Sequence, residues 1–367
     1  MNILILFSQP WRVGGAETHV EALLKGLEEH NLFLAVNEGS NEAKLAQLKK
    51  KFPCVTIITI QARGINLLRW KRDVAMLCDL IKREHIDVIS AQQRTAGIWG
   101  HIIRYYTQVP YTVTMHDPWH RAMFKAIYAK MFAAVFAVSR NLADKLIKEY
   151  GFLKEQIHLI NNGIDFGEFK PLPSSICREK LGLPPETKII LHVSRLSNVK
   201  GAVSLAIIDS MKQVLKVRPN TKLIIIGEGP MRNEINERIV SFNQMYGESI
   251  KIFDFVTNIT DWYNAVDILI GEGRVAMEAL ACLKPVIAIR NVSTFIGAIY
   301  KKNIAYACDV NFDGNDQAVN AENLAKEIEK ALQVGLSESE EIAGYIKERL
   351  GLGNMARAYL DVFKTLK

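Results

Sequence analysis

The stretch VDILIGEGRVAMEALACLKPVIAI, residues 266–289, contains a complete strand–helix–strand pattern. A short apolar run leads through a loop with Gly271 and Gly273 into a helix, and a proline opens a second apolar run. Such runs, rich in β-branched residues, are typical of parallel strands that are buried on both faces. The pattern predicts a βαβ unit, whose helix N-terminus at Gly273, Arg274 and Val275 favours an anion.

The same alternation of apolar runs and helical patterns extends along the chain on both sides of this unit. The runs of the first half are NILILFS, LFLAV, VTIITI, IDVISA, YTVTM, AVFAV and IHLI, and those of the second half are KIILHVS, KLIIIG, IKIFDF, VDILI and PVIAI. Right-handed crossovers join such strands into parallel sheets with helices on both faces. We therefore expect an α/β fold with doubly wound, Rossmann-like sheets.

A turn-rich segment, NNGIDFGEFKPLPSS at residues 161–175, interrupts the alternation, which then starts again. A chain of 367 residues is long enough for two domains. We predict one Rossmann-like domain over residues 1–165 and a second over residues 172–351, which face a cleft. Ligands of such sheets bind beyond the carboxyl ends of the strands.

Composition excludes several classes of protein. The chain has 49% hydrophobic and 23% charged residues, and no run approaches the ~18 uncharged apolar residues of a membrane span. The first residues, MNILILFSQ, do not resemble a signal peptide. Five scattered cysteines without a C-x-x-C pair predict neither disulfides nor a zinc site. We expect a cytoplasmic protein.

The formal net charge of +7 is concentrated in the first half of the chain. Residues 1–168 carry 21 Lys and Arg against 16 Asp and Glu, whereas the remainder carries 25 against 23. Basic residues alternate with aromatic and apolar ones in two stretches, at Arg69, Lys71, Arg72, Lys82 and Arg83 and at His120, Arg121, Lys125 and Lys130. This pattern suits a peripheral contact with the anionic inner face of a membrane, and it equally suits ordinary amphipathic helices. No compact basic stripe indicates nucleic-acid binding.

Two motifs of the first half follow predicted strands. Gly14 and Gly15 lie at a strand-to-helix turn, where they serve either a ligand's phosphate and hydroxyl groups or a turn with positive φ. His116 follows the run YTVTM, where an imidazole is either a hydrogen-bonding or proton-transferring group toward substrate or a structural side chain.

Two motifs of the second half add cations and glycines. Arg195 and Lys200 follow the run KIILHVS in a loop that opens a helix, a pair suited to a diphosphate unless both are solvated surface charges. The sequence GEGP, with Gly227 and Glu228, repeats the turn between a strand and a helix. Glu278 lies on the last helix, where a partly buried carboxylate needs partners such as ribose hydroxyls.

Taken in order, these motifs resemble the retaining glycosyltransferases of family 4, which have the GT-B fold. The resemblance covers residues 3 to about 290 and lies in GGAE (14–17), TMHD (114–117), AVSRNLADKL (137–146), INNGIDFGEFKP (160–171), VSRLSNVKG (193–201), GEGP (227–230), DWYNAVDILI (261–270) and GRVAMEALACLKPVIA (273–288). It implies that the first domain binds the acceptor and the second the donor. It also implies that the helix at residues 352–367 crosses back to the first domain.

The resemblance implies a role for each motif. The catalytic residues are then His116, near the donor sugar, and Arg195 and Lys200, on the donor diphosphate. The donor-binding residues are Gly14, Gly15, Gly227, Glu228, Val256, Glu272, Gly273, Arg274, Val275 and Glu278. Glu278 is expected on the nucleotide ribose, and residues 255–258 are expected to bind the base through backbone groups.

The implied reaction transfers a sugar, with retention, from a nucleoside diphosphate sugar to a hydroxyl group. UDP is the expected nucleotide, and the acceptor is a carbohydrate or a lipid-linked molecule of polysaccharide, cell-wall or glycolipid synthesis. Preorganised cations and helix dipoles stabilise the departing diphosphate. No cofactor or metal is expected, since no D-x-D pair is present. The family implies same-face attack, in which the leaving phosphate accepts the acceptor's proton.

Two departures from the family pattern put in question how the hydroxyls of the donor sugar are bound. The first glutamate of the motif E-x7-E falls at Ile270, and Glu272 is offset from it by two positions. Leu283 also replaces the usual glycine of AC-G-x-P. A nucleotide-binding protein that has lost catalysis is therefore an alternative, as is a nucleotide-sugar epimerase. A nicotinamide dehydrogenase is disfavoured, because the chain lacks G-x-G-x-x-G followed by an acidic residue.

Overall fold

The computed structural model describes residues 1–12, 14–61, 66–117, 125–314 and 318–366. The strands are β1 (Asn2–Phe7), β2 (Asn31–Asn37), β3 (Thr56–Ile60), β4 (Val88–Gln92), β5 (Tyr111–Met115), β6 (Val135–Ala137), β7 (Ile157–Leu159), β8 (Lys188–Val193), β9 (Thr221–Ile226), β10 (Ile250–Phe253), β11 (Ile268–Gly271), β12 (Val286–Asn291) and β13 (Thr294–Ala298).

Helices alternate with these strands. They are α1 (Gly15–Gly26), α2 (Glu42–Lys51), α3 (Leu67–Arg83), α4 (Arg94–Thr107), α5 (Lys125–Met131), α6 (Arg140–Tyr150), α7 (Ser174–Lys180), α8 (Asn198–Val217), α9 (Arg232–Tyr246), α10 (Ile259–Ala265), α11 (Gly273–Ala281), α12 (Ile304–Asp309), α13 (Ala321–Ala331), α14 (Leu336–Leu350) and α15 (Leu352–Thr365). A 3₁₀ turn, Lys154–Gln156, precedes β7.

The chain divides into two compact units. The first contains Met1–Gly163 together with Leu352–Lys367, and the second contains Ile164–Gly351. Helix α15 belongs to the first unit because Met355, Tyr359 and Phe363 pack into the same core cluster as the residues of β1. Each unit has its own core.

The sheet of the first unit has the order β3-β2-β1-β4-β5-β6-β7, and its neighbouring strands pair in parallel. Helices cover both faces, which explains why the strands are continuous apolar runs. On β1, Leu4 and Leu6 point into one core cluster, whereas Ile3 and Ile5 point into the other.

The sheet of the second unit has the order β10-β9-β8-β11-β12-β13. On β11, Leu269 packs into one core cluster and Ile270 into the cluster on the other face. The strand order reverses between β8 and β11, and between β1 and β4 in the first unit. In doubly wound sheets this switch point leaves a crevice beyond the carboxyl ends of the strands. The α/β, Rossmann-like fold expected from the sequence is confirmed.

Strand β13 was not predicted from the sequence, where the second sheet was expected to end at β12. It pairs antiparallel with β12 through a tight connection, and the pairing contains register shifts. Its sequence, TFIGA, is short and includes Gly297 with a φ of +87°. When a strand is stabilised mainly by its hairpin partner, its own residues give little indication that it will form a strand.

Candidate functional site

The glycines that follow β1 lie at the N-terminus of helix α1. Gly14 is the N-cap residue and has an extended backbone with a φ of −178°, so no side chain caps the first amides of the helix. A Cβ on Gly15 would meet no atom of the described residues within 4 Å. Neither glycine has a positive φ, so the alternative in which this pair serves a turn with positive φ is wrong.

His116 follows β5 and takes part in a polar network. Its Nε2 donates to the side-chain oxygen of Gln92 at 3.1 Å, because that amide oxygen only accepts. Gln92 in turn donates to Ser90 at 3.1 Å. Burial, together with the nearby ring of His19, lowers the pKa of His116 well below its ordinary value. His116 is therefore neutral near pH 7, with Nδ1 as a hydrogen-bond acceptor.

A second buried chain of hydrogen bonds begins at His19, which is fully buried in helix α1. Its Nδ1 donates to the side-chain oxygen of Asn162 at 2.8 Å, and its Nε2 accepts from the hydroxyl of Tyr359 at 2.9 Å. The Tyr359 oxygen then accepts from Thr114 at 2.8 Å. The rings of His19 and His116 lie edge to face, with centroids 4.7 Å apart. Helix α15 is thereby tied to the polar network that surrounds His116.

In the second unit, the two cations after β8 lie on different elements. Arg195 is exposed in the loop, whereas Lys200 lies in the first turn of α8 and not in the loop as the sequence analysis placed it. Ser197 caps this helix and accepts from the Lys200 amide. Lys200 also lines a concave pocket with Ser194, Glu272 and Arg290.

The GEGP turn brings two loops of this region together. Gly227 and Gly229 lie against the backbone of residues 194–196, where a Cβ on either would overlap a carbonyl group. The carboxylate of Glu228 accepts from the amide of Phe255 at 3.2 Å. Glu228 is therefore tied to the segment that contains half-buried Val256.

Glu272 is the N-cap residue of α11, and its carboxylate forms ion pairs with Lys200 and Arg290. It reaches them because β11 extends to Gly271, which was expected in the loop. Ile270, at the family's first glutamate position, is fully buried in the core. The offset acid thus occupies the carboxyl end of the strand, and Gly273, with a φ of +51°, begins the helix.

Glu278 is 7% exposed on α11 and already has protein partners. Its carboxylate accepts from the Tyr263 hydroxyl at 2.9 Å and pairs with Arg274 at 3.2 Å. Burial raises the pKa of Glu278, while the Arg274 charge opposes that shift. Val275, which follows Arg274 on α11, packs against the core. Ribose binding by Glu278 stays a prediction.

His192, on β8, lines the same pocket as Lys200. Its Nδ1 donates to the carbonyl of Ile270 at 2.9 Å, and its Nε2 contacts Ser204 at 3.1 Å. Burial lowers the pKa of His192 to about 4. A neutral, buried imidazole therefore supports the floor of the pocket.

Arg290 and Asp313 are pocket-region residues that the sequence analysis missed. Arg290 lies at the end of β12 and pairs with both Glu272 and Asp313. Burial raises the pKa of Asp313, and the Arg290 charge opposes that shift. The signal for Arg290 was present, because it directly follows the apolar run PVIAI, as Arg195 follows the run KIILHVS. Asp313, after a short helix, has no such signal.

The described residues contain neither a metal-binding cluster nor a membrane-spanning helix. Among those residues, no group of three or more His, Cys, Asp or Glu side chains is arranged to hold a metal ion. Every helix in the same ranges is too short or too polar to cross a lipid bilayer. Of the second basic stretch, His120 and Arg121 lie outside the described residues, whereas Lys125 and Lys130 lie on α5.

The two doubly wound sheets and their order along the chain define the class of fold, which is the GT-B fold of glycosyltransferases. A glycosyltransferase from Rickettsia africae has a similar structure, with a TM-score of 0.78, 21% identity, and coverage of 100% of this chain and 98% of that one. Anabaena HepE, solved with UDP and glucose, has a TM-score of 0.76 and 18% identity over the full length of both chains.

Sequence comparison identifies the family. Residues 13–168 match Glycosyltransferase Family 4, and residues 174–349 match Glycosyl transferases group 1. The chain belongs to the glycosyltransferases of family 4. It is 26% identical over 235 residues to a D-inositol 3-phosphate glycosyltransferase of Xylanimonas cellulosilytica. That match covers 55% of each chain, so this chain spans about half the length of that relative.

Proposed function

We propose that this protein moves a sugar, with retention, from a nucleoside diphosphate sugar to a hydroxyl group of a carbohydrate or lipid-linked acceptor. The observation that carries the proposal is the pocket at the switch point of the second sheet, where Lys200, Glu272 and Arg290 line one concavity. UDP is the nucleotide we propose, in line with the UDP bound to Anabaena HepE.

The chemistry requires stabilisation of the negative charge that develops on the departing diphosphate. Exposed Arg195 and half-buried Lys200 provide cations, and the N-terminus of α8 adds its dipole. We propose that these groups act without a metal. His116, neutral near pH 7, serves as a hydrogen-bonding group toward the sugar and not as a proton donor. These interactions accelerate transfer because they strengthen as charge develops.

Turnover of UDP-, GDP- and ADP-sugars tests this proposal. The released diphosphate is measured with a panel of acceptors that includes D-inositol 3-phosphate, since relatives bear that name. Lys200→Met is expected to reduce kcat/KM by at least ~100-fold, as does loss of one preorganised charge in other enzymes. The matched control is Lys212→Met, an exposed lysine on the same helix, which is expected to retain activity.

Two outcomes would contradict the proposal. A diphosphate that binds, with no donor hydrolysed or transferred, would favour a nucleotide-binding protein that has lost catalysis. Epimerised nucleotide sugar without transfer would favour an epimerase.

We also propose a peripheral contact between the first unit and an anionic membrane. At the start of α3, Leu67 and Leu68 are 77% and 82% exposed. Basic residues follow at once, at Arg69, Lys71 and Arg72. Since α3 follows β3, its N-terminus lies at the edge of the sheet where His116 follows β5. Exposed leucines beside cations match an anionic lipid surface.

Liposome flotation tests the membrane contact. The protein is expected to float with vesicles that contain anionic lipid and not with neutral vesicles. The double variant Leu67→Ser with Leu68→Ser is expected to lose flotation, whereas Leu336→Ser, at a leucine of the second unit that is 66% exposed, retains it. Flotation that is independent of lipid charge would refute the contact.

A further inference from the structure

A chain of alternating charges begins in the pocket of the second unit and is not explained by the proposed diphosphate contacts. Lys200 pairs with Glu272, Glu272 with Arg290, and Arg290 with Asp313. These residues come from α8, the loop before α11, the end of β12 and the segment after α12. Three of these charged residues, Lys200, Glu272 and Arg290, line the pocket of the second unit.

The charges in this cluster sum to zero, although a diphosphate needs cations. Lys200 is therefore already engaged by Glu272, and a phosphate oxygen must compete with that carboxylate. Once Lys200 turns to phosphate, Glu272 keeps, among the described residues, the ion pair with Arg290, whose Nε lies 3.7 Å from its Oε2. A carboxylate left without a cation in this partly buried pocket would resist the exchange.

We propose that Arg290 is a positioning residue that keeps Glu272 in the pocket while Lys200 transfers to the donor diphosphate. Asp313 pairs with the Nη1 atom of this guanidinium, whereas Glu272 pairs with Nε, so the Asp313 pair leaves Nε directed at Glu272. The inference rests on the proposed function and deepens it. Glu272 then presents a carboxylate, an acceptor of hydrogen bonds, to hydroxyls of the donor sugar.

The same arrangement defines the class of donor sugar. Glu272 lines the pocket and its side chain is 20% exposed, so its carboxylate keeps much of its charge away from water. A sugar with its own carboxylate would meet like charges at short range. The donor sugar is therefore uncharged and carries free hydroxyls on the side that faces Glu272.

The two residues have effects of opposite sign on diphosphate affinity. Arg290→Gln removes the ion pair that competes with Lys200 for Glu272, so Lys200 is held more firmly and binding of UDP weakens by about fivefold. Glu272→Gln frees Lys200, so binding of UDP tightens by about fivefold, the size expected of a half-exposed ion pair. Glu272→Gln nevertheless lowers kcat/KM for the nucleotide sugar, because the sugar loses its acceptor.

A double-mutant cycle measured by calorimetric titration with UDP, GDP and ADP tests the inference. In the Glu272→Gln background, Arg290→Gln is expected to have no further effect on affinity, since Arg290 acts through that carboxylate. The matched control is Arg238→Gln, whose side chain is half-exposed and pairs with Asp209 at 3.0 Å on the same unit.

The outcomes separate this inference from the proposed function. If none of the diphosphates binds the unmodified chain, both fail. If one binds, but Arg290→Gln leaves its affinity unchanged or weakens it equally in both backgrounds, only the role of Arg290 is overturned. Tighter binding of UDP-glucuronate than of UDP-glucose would overturn the assignment of an uncharged sugar.

Discussion

Substitution of Gly227 by alanine tests the reason for the glycine turn after β9. A Cβ at this position would overlap the carbonyl oxygen of Ser194 and lie 3.1 Å from its carbonyl carbon. The obstacle is backbone, which cannot rotate away as a flexible side chain can. The loop that carries Arg195 must therefore separate from the glycine turn.

The cost follows from what joins these two loops. Backbone hydrogen bonds run from Ser194 to Ile226 at 3.1 Å and from Leu196 to Glu228 at 2.9 Å. Loss of both costs about 2 kcal/mol, and the overlap adds about 1–3 kcal/mol. We expect Gly227→Ala to lower the free energy of unfolding by about 3–5 kcal/mol, and Tm by roughly 10 °C.

Urea unfolding and thermal melts monitored by circular dichroism measure this change. The matched control is Gly344→Ala in the interior of α14, where a Cβ meets nothing within 4 Å. Alanine there is expected to stabilise by about 0.5–1 kcal/mol through helix propensity. Gly227→Ala is thus expected to lower the free energy of unfolding and Gly344→Ala to raise it. Equal changes, or a Gly227→Ala protein as stable as the unmodified chain, would refute the argument from close approach.

Three further predictions concern buried polar groups. The pKa of His192 is about 4 in the folded chain and about 6.5 in the unfolded chain. As the pH falls below about 6.5, the unfolded chain therefore takes up a proton that the folded chain does not. Stability should therefore fall by about 2–3 kcal/mol between pH 7 and 4.5 in urea titrations, and less in His192→Asn. Glu278→Gln should cost about 3 kcal/mol, because the buried Arg274 charge loses its carboxylate, and a change below ~1 kcal/mol would contradict this. Tyr359→Phe should cost about 2 kcal/mol by urea unfolding, since it removes the hydroxyl between His19 and Thr114, and an unchanged midpoint would disprove that link.

Much of the fold could be predicted from the sequence because a strand buried on both faces must be apolar at every position. The run NILILFS reads as a strand for this reason, and in the structure Ile3 and Leu4 point into different core clusters. Strand β13 escaped prediction because its pairing with β12 contains register shifts and a glycine. Its five residues carry neither alternation nor a continuous apolar run.

The candidate site could be predicted only in part from the sequence. Arg195 and Lys200 follow a strand, and the rule that ligands bind beyond carboxyl ends of strands directs attention to such positions. The spacing rule placed the missing glutamate at Ile270, whereas the end of β11 at Gly271 brings Glu272 to Lys200. Spacing along a chain cannot reveal this shift, because the length of the strand decides which residue leaves the sheet.

By itself, the sequence determined the strand–helix alternation, the two Rossmann-like halves and the resemblance to family 4, since these depend on local periodicity and motif order. Only the tertiary structure decided which charges meet. Asp313 reaches Arg290 across 23 residues of chain, and Tyr359 reaches His19 across 340. Side chains that distant become neighbours only when packing brings their elements together, so their partnership leaves no pattern in the sequence.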